Sequence, residues 1–97
     1  MSKVELVRKK GPTSVYIDAE VTDDGDLLFS GQDIGKAPSE FFGDSDYEYW
    51  LQIKAVDKDQ LLLSLVEKIY SRNTKLISDI MEHLNLKNIA YDFHSYA

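Results

Sequence analysis

The apolar residues of this chain change their period between Ala55 and Asp57, from that of a β part to that of an α part. In the β part they recur at every second position. Ser14–Thr22 alternates cleanly, with Val15, Ile17, Ala19 and Val21 on one face and Tyr16, Asp18 and Glu20 on the other. Successive strand side chains point to opposite faces, so this is the pattern of a half-buried antiparallel strand. Lys3–Lys9 alternates more weakly and reads as a first strand with Val4 and Leu6 inward. Gly11-Pro12 is a turn signal, and Asp23-Asp24-Gly25-Asp26 is a tight hairpin in which Gly25 takes a positive φ. Leu27–Gln32 is the third strand. Asp33–Ser45 is a loop punctuated by Gly35, Pro38 and Gly43, in which Ser39–Phe42 forms a helical turn that sets Phe41 or Phe42 into the core. Asp46–Ala55 is the fourth strand. Its Tyr47, Tyr49, Leu51 and Ile53 face the core, and Asp46, Glu48, Trp50 and Gln52 form an acidic row around the only tryptophan.

Beyond Val56 the spacing becomes helical. Asp57 is a good N-cap, with Gln60 three residues later as a capping box requires, and Val56 and Leu61 form a hydrophobic staple. Leu61, Leu62, Leu65, Val66 and Ile69 make one helical face. Ser71-Arg72-Asn73 breaks this helix, and Asn73 or Thr74 caps a second one that carries Leu76, Ile77, Ile80, Met81 and Leu84. Asn85 or Asn88 supplies a left-handed stop. In the tail, Ile89, Tyr91 and Phe93 alternate with Ala90, Asp92 and His94, which reads as a short fifth strand. The expected architecture is a single α+β domain over residues 1–97: an antiparallel sheet of four strands plus the C-terminal fifth, with both amphipathic helices on one sheet face. The other face then displays Glu5, Tyr16, Asp18, Glu20, Glu48 and Trp50.

Charge narrows the function. The chain carries a net charge of −6, unevenly spread. Lys3, Arg8, Lys9 and Lys10 against Glu5 give residues 1–12 a net of +3. Ten acids against Lys36 give residues 13–53 a net of −9, and residues 54–97 balance six acids with six bases. Nucleic-acid affinity needs cations that replace counterions, so the middle segment repels a phosphate backbone and attracts a basic protein. With no cysteine, disulfides, thiolate nucleophiles and cysteine-ligated zinc are excluded. No apolar run approaches a membrane span, the start lacks a signal-peptide core, and a cytoplasmic location is the simplest expectation.

The candidate chemical motifs fall short of their templates. Asp23-Asp24-Gly25-Asp26 begins like a calcium loop, yet the twelfth position is Ile34 or Gly35 rather than glutamate. Ser30-Gly31-Gln32-Asp33-Ile34-Gly35-Lys36 lacks the Gly-Lys-Ser/Thr ending of a P-loop. His83 has no His or Glu at a spacing that would complete a metal site. His94 shares a strand face with Asp92, but no nucleophile or oxyanion site accompanies them. No metal or cofactor is implied. Arg8-Lys9-Lys10 is a solvated turn or a charge partner for the acidic sheet.

Two stretches carry a resemblance. Gly31-Gln32-Asp33-Ile34-Gly35 followed by Phe41-Phe42-Gly43-Asp44-Ser45-Asp46-Tyr47-Glu48-Tyr49-Trp50, and the ending Asn88-Ile89-Ala90-Tyr91-Asp92-Phe93-His94-Ser95-Tyr96, resemble a group of small bacterial single-domain proteins without an established activity. Glycine and proline often stand in that group where this chain has Asn88 and Ala90. The resemblance implies a stand-alone bacterial domain and supplies no catalytic residue.

The reading that unites these observations is a non-enzymatic module that binds a basic protein through Tyr16, Asp18, Glu20, Asp44, Asp46, Glu48 and Trp50. Tryptophan and tyrosine dominate binding hot spots, and flanking acids select a basic partner. Small acidic immunity or antitoxin proteins that occlude the phosphate-gripping site of a toxic nuclease are a concrete form. The competing readings are a Trp50 packed under the chain's own tail, a structural homodimer that pairs two Trp50 faces, and a small hydrolase or metal enzyme built on Asp44, Asp46 and His94.

Overall fold

The computed structural model describes residues 2–43 and 45–96, and it falls into two compact units, 1–62 and 63–97. The protein is α+β. The first unit holds a four-stranded antiparallel sheet of β1 (Ser2–Lys9), β2 (Thr13–Val21), β3 (Leu27–Gly35) and β4 (Asp46–Ile53), in the order β1-β2-β3-β4. Every neighbouring pair is also adjacent in sequence; short turns join β1 to β2 and β2 to β3, and a longer connection joins β3 to β4.

The register sorts the side chains into two faces. Asp18 stands opposite Ser30, which stands opposite Trp50; Tyr16, Gln32 and Glu48 form the next row. The opposite face carries Val15, Ile17, Ala19, Phe29, Tyr49 and Leu51. Ala19, near the middle, is buried, while Tyr47 and Leu51, expected inward, are exposed, Leu51 to 61%. They lie on an edge strand and have a neighbouring strand on one side only.

β1 departs from simple alternation. Val4 pairs with Ala19 and Val7 with Ile17, and the register shifts between Glu5 and Val7, leaving Leu6 as an extra residue. The expected inward pair Val4 and Leu6 is therefore Val4 and Val7. A bulge of this kind moves every later side chain to the other face. It takes Arg8, which strict alternation would put beside Val4, to the face of Tyr16.

The expected loop after the third strand is shorter than read. β3 continues to Gly35, and α1 (Lys36–Phe42) follows directly. Thr13 Oγ1 accepts from the Ala37 N–H at 2.9 Å, and the Pro12 carbonyl accepts from the Lys36 N–H at 3.0 Å, so the start of β2 satisfies donors that open α1. The expected placement of Phe41 or Phe42 in the core concerns side chains outside the described ones.

The hairpin between β2 and β3 folds as read, with Gly25 at φ 85° and its N–H donating to the Thr22 carbonyl at 2.8 Å. Its Asp26 takes on a role that the sequence reading gave to Asp57. α2 (Ala55–Tyr70) begins two residues before Asp57, and Asp26 Oδ1 accepts from the Ala55 N–H at 2.8 Å. The capping oxygen thus comes from a distant hairpin, and Asp57 lies within the first turn, where its charge suits the helix dipole.

In the second unit, α2 ends at Ser71-Arg72, with Arg72 at φ 64°. Asn73 Oδ1 accepts from the Lys75 N–H at 2.9 Å ahead of α3 (Leu76–Leu86). Leu76, Ile80, Met81 and Leu84 are half-buried, as their spacing predicts, while Ile77, expected on the same face, is exposed. α3 stops at Asn88 in the left-handed conformation, φ 56°. The Ile89 N–H donates to the Leu84 carbonyl at 2.9 Å and the Asn88 N–H to that of Asn85 at 3.2 Å, the paired bonds of a Schellman stop. The expected fifth strand is not formed in the described residues: 89–96 are irregular, and Tyr91 instead donates its hydroxyl to Asn85 Oδ1 at 3.1 Å. Alternation makes a strand only where a neighbouring backbone accepts its hydrogen bonds. No helix among the described residues is long and apolar enough to cross a membrane.

Candidate binding groove on the acidic face

Three strands build a groove of about 240 Å³ on the polar face of the sheet. The side chains of Ser30 and Gln32 on β3 form its floor. Tyr16 and Asp18 on β2 stand along one side, Glu48 and Trp50 on β4 along the other. The alternation of each strand supplies the side chains, and the register sets them level across the floor. Neighbouring strands lie about 4.8 Å apart, so the two walls are separated by about 10 Å of backbone, enough to admit one extended chain or one long side chain.

Trp50 is 64% exposed, and the side chain of Glu48 beside it makes no ion pair or hydrogen bond among the described residues. Exposing a large aromatic costs water contact that burial would relieve, and a carboxylate within reach gives that burial a charge preference. Asp18 is differently placed, with Lys3 Nζ 3.9 Å from its carboxylate. Arg8, brought to this face by the bulge, lies 6.0 Å over the Tyr16 ring and donates to Glu5 at 3.2 Å. The basic start of the chain thus neutralises the β1 side of the face, and the negative potential concentrates toward β4. Exposed pairs of this kind contribute little to stability and act mainly on the field.

Of the residues singled out from sequence, Tyr16, Asp18, Glu48 and Trp50 meet in the groove. Glu20 shares the face but stands opposite Leu28, outside it, and Asp46 lies at the far end, accepting from Gln32 Nε2 at 2.9 Å. Asp44 lies outside the described residues. The floor residues Ser30 and Gln32 escaped the sequence reading; pairing a small polar residue opposite Trp50 is visible only once the register is known. Asp23 and Asp24 are exposed turn residues, and Asp26 is occupied as a cap, accepting also from Gln52 Nε2 at 2.9 Å. Its carboxyl is held below the usual carboxylate range by the Ala55 N–H foremost, against the cost of burial, and further by Lys54 at 3.5 Å and by Gln52. His83 lies on α3 with Asp79, Glu82 and Leu86 around a shallow depression. Among the described residues no group of three or more His, Asp and Glu is placed to hold a metal ion.

Compared with protein-family models, with curated proteins and with solved structures, the chain matches none.

Proposed function

We propose that this protein is a non-enzymatic binding module that receives a basic protein partner in the groove between Tyr16 and Asp18 on one side and Glu48 and Trp50 on the other. The observation that carries the reading is the exposed Trp50 standing next to Glu48, whose side chain has no ion pair or hydrogen bond among the described residues. The aromatic supplies area to bury and the acids select cationic side chains. In its concrete form the partner is a basic enzyme that grips phosphate, and the module occludes that grip as an immunity or antitoxin protein does, from a cytoplasmic location. The test is affinity capture from a lysate of the source cells, followed by titration of the purified retained protein against wild type and Glu48→Lys/Trp50→Ala. Tight binding that weakens with salt and is lost in the double variant supports the proposal. A retained protein that is not basic, or that binds the folded double variant equally well, overturns it.

A second reading, a homodimer that pairs two such faces, is favoured by one observation: the face carries Lys3, and through the bulge Arg8, as well as its acids. A two-fold pairing could set the basic β1 side of one copy against Glu48 of the other. Sedimentation as a monomer at micromolar concentration would remove it.

A further inference from the structure

β1 and β4 are both edge strands, and they are built differently. β1 carries Lys3, Arg8 and Lys9 and is broken by the bulge at Leu6. Lysines and bulges are standard means of closing an edge to further strands. β4 has neither. Its eight residues contain no lysine, arginine, proline or glycine, and its register with β3 runs unbroken from Asp46 to Ile53. An antiparallel neighbour on one side satisfies alternate residues only, and since the Gly35 N–H donates to the Ser45 carbonyl, the register turns the N–H and C=O groups of Glu48, Trp50 and Gln52 away from the sheet.

Resting on the proposed function, we propose that the partner enters as an extended segment that adds to the outer edge of β4 as a fifth strand, in antiparallel pairing, with basic and apolar residues in alternation. Charge complementarity selects this occupant. On the groove side the added strand lies next to Glu48 and Trp50, which favours lysine or arginine at every second position. On the other side it lies next to the exposed Leu51 and the half-buried Tyr49, which favours branched apolar residues between them. Main-chain hydrogen bonds supply affinity in such strand additions, and the alternating pockets supply specificity. The same acids act against a second copy of β4, since antiparallel pairing of two such edges sets carboxylates near each other.

The test uses a synthetic peptide of about eight residues, matched to β4, that alternates lysine and valine, titrated into the full chain by fluorescence of Trp50. Two further peptides carry N-methyl groups on all lysine amides or on all valine amides. One antiparallel strand uses only one of these sets toward β4, so one methylated peptide should lose at least about tenfold in affinity while the other retains most of it. Amide exchange in β4 should slow when the unmethylated peptide binds. Equal binding of all three peptides, weakened by salt and by Glu48→Lys, would overturn the strand addition and leave the basic-partner reading standing. Absence of binding by any peptide would overturn the strand addition as well, while capture of a folded basic protein still tests the broader proposal. Filaments of the isolated protein, with β1 of one copy on β4 of the next, would show that the edge belongs to a second copy and overturn it.

Discussion

The ring of Tyr49 lies across Gly31 on the neighbouring strand, so close that a Cβ at residue 31 would fall 2.0 Å from its Cε2. The ring covers backbone that a glycine leaves bare, and its hydroxyl reaches on to donate to Asp33 Oδ1 at 2.9 Å. Gly31→Ala should therefore displace the ring and break that bond together, at a cost of about 1–3 kcal/mol. Tyr49→Phe keeps the ring and loses only the hydroxyl bond, about 1 kcal/mol. Urea unfolding of both variants checks the order.

The same hydroxyl gives an alkaline signature. Burial foremost, then the hydrogen bond and the charge of Asp33, holds the Tyr49 phenol above its ordinary value of 10.0. In the unfolded chain the phenol ionises first, so the unfolded state binds fewer protons there and stability falls as pH rises through and above 10.0. Melting temperatures of wild type should fall more steeply across that range than those of Tyr49→Phe.

Asp26 gives the opposite signature. Its folded carboxyl titrates below the ordinary 3.8, so its stabilisation is complete above that value and is lost as pH falls through the lower folded one. Asp26→Asn should melt several degrees lower at neutral pH, and the gap should close in acid. A gap that stays constant with pH would place the effect in packing rather than in the charge.

Association should respond to Arg8 and Asp18 in opposite directions. Arg8→Gln removes a cation from the groove face and should speed capture of a basic partner a few-fold, while Asp18→Asn should slow it. Both effects should fade between about 0.1 M salt, where the screening length is about 10 Å, and about 1 M, where it is about 3 Å. Stopped-flow fluorescence reads this directly, because the chain has one tryptophan and it lies in the groove.

Asn88 holds the stop of α3 in a left-handed conformation that a β-branched residue enters only with strain. Asn88→Val should cost about 1–2 kcal/mol, and Asn88→Gly should cost little or nothing. Helical circular dichroism on heating separates the two.

Much of this was legible in the residues themselves. The clean alternation of Val15 to Val21 and the helical spacing of Leu76 to Leu84 identify their elements because side-chain direction is a local property of each backbone. Asp-Gly in the hairpin and Asn88 after α3 act through local φ preferences, and they too were readable. The same locality placed Tyr16 with Asp18 and Glu48 with Trp50 on their strands. What the sequence could not decide were the relations between elements. The bulge at Leu6, which turns Arg8 toward Tyr16, depends on the pairing of β1 with β2. The cap of α2 by Asp26, with Asp57 left in the first turn, depends on the hairpin reaching Ala55. Alternation in residues 89–94 suggests a fifth strand, but a strand also needs a neighbour's hydrogen bonds. Period and turn chemistry are written within a few residues; register, capping from a distance and strand pairing are settled only when segments meet.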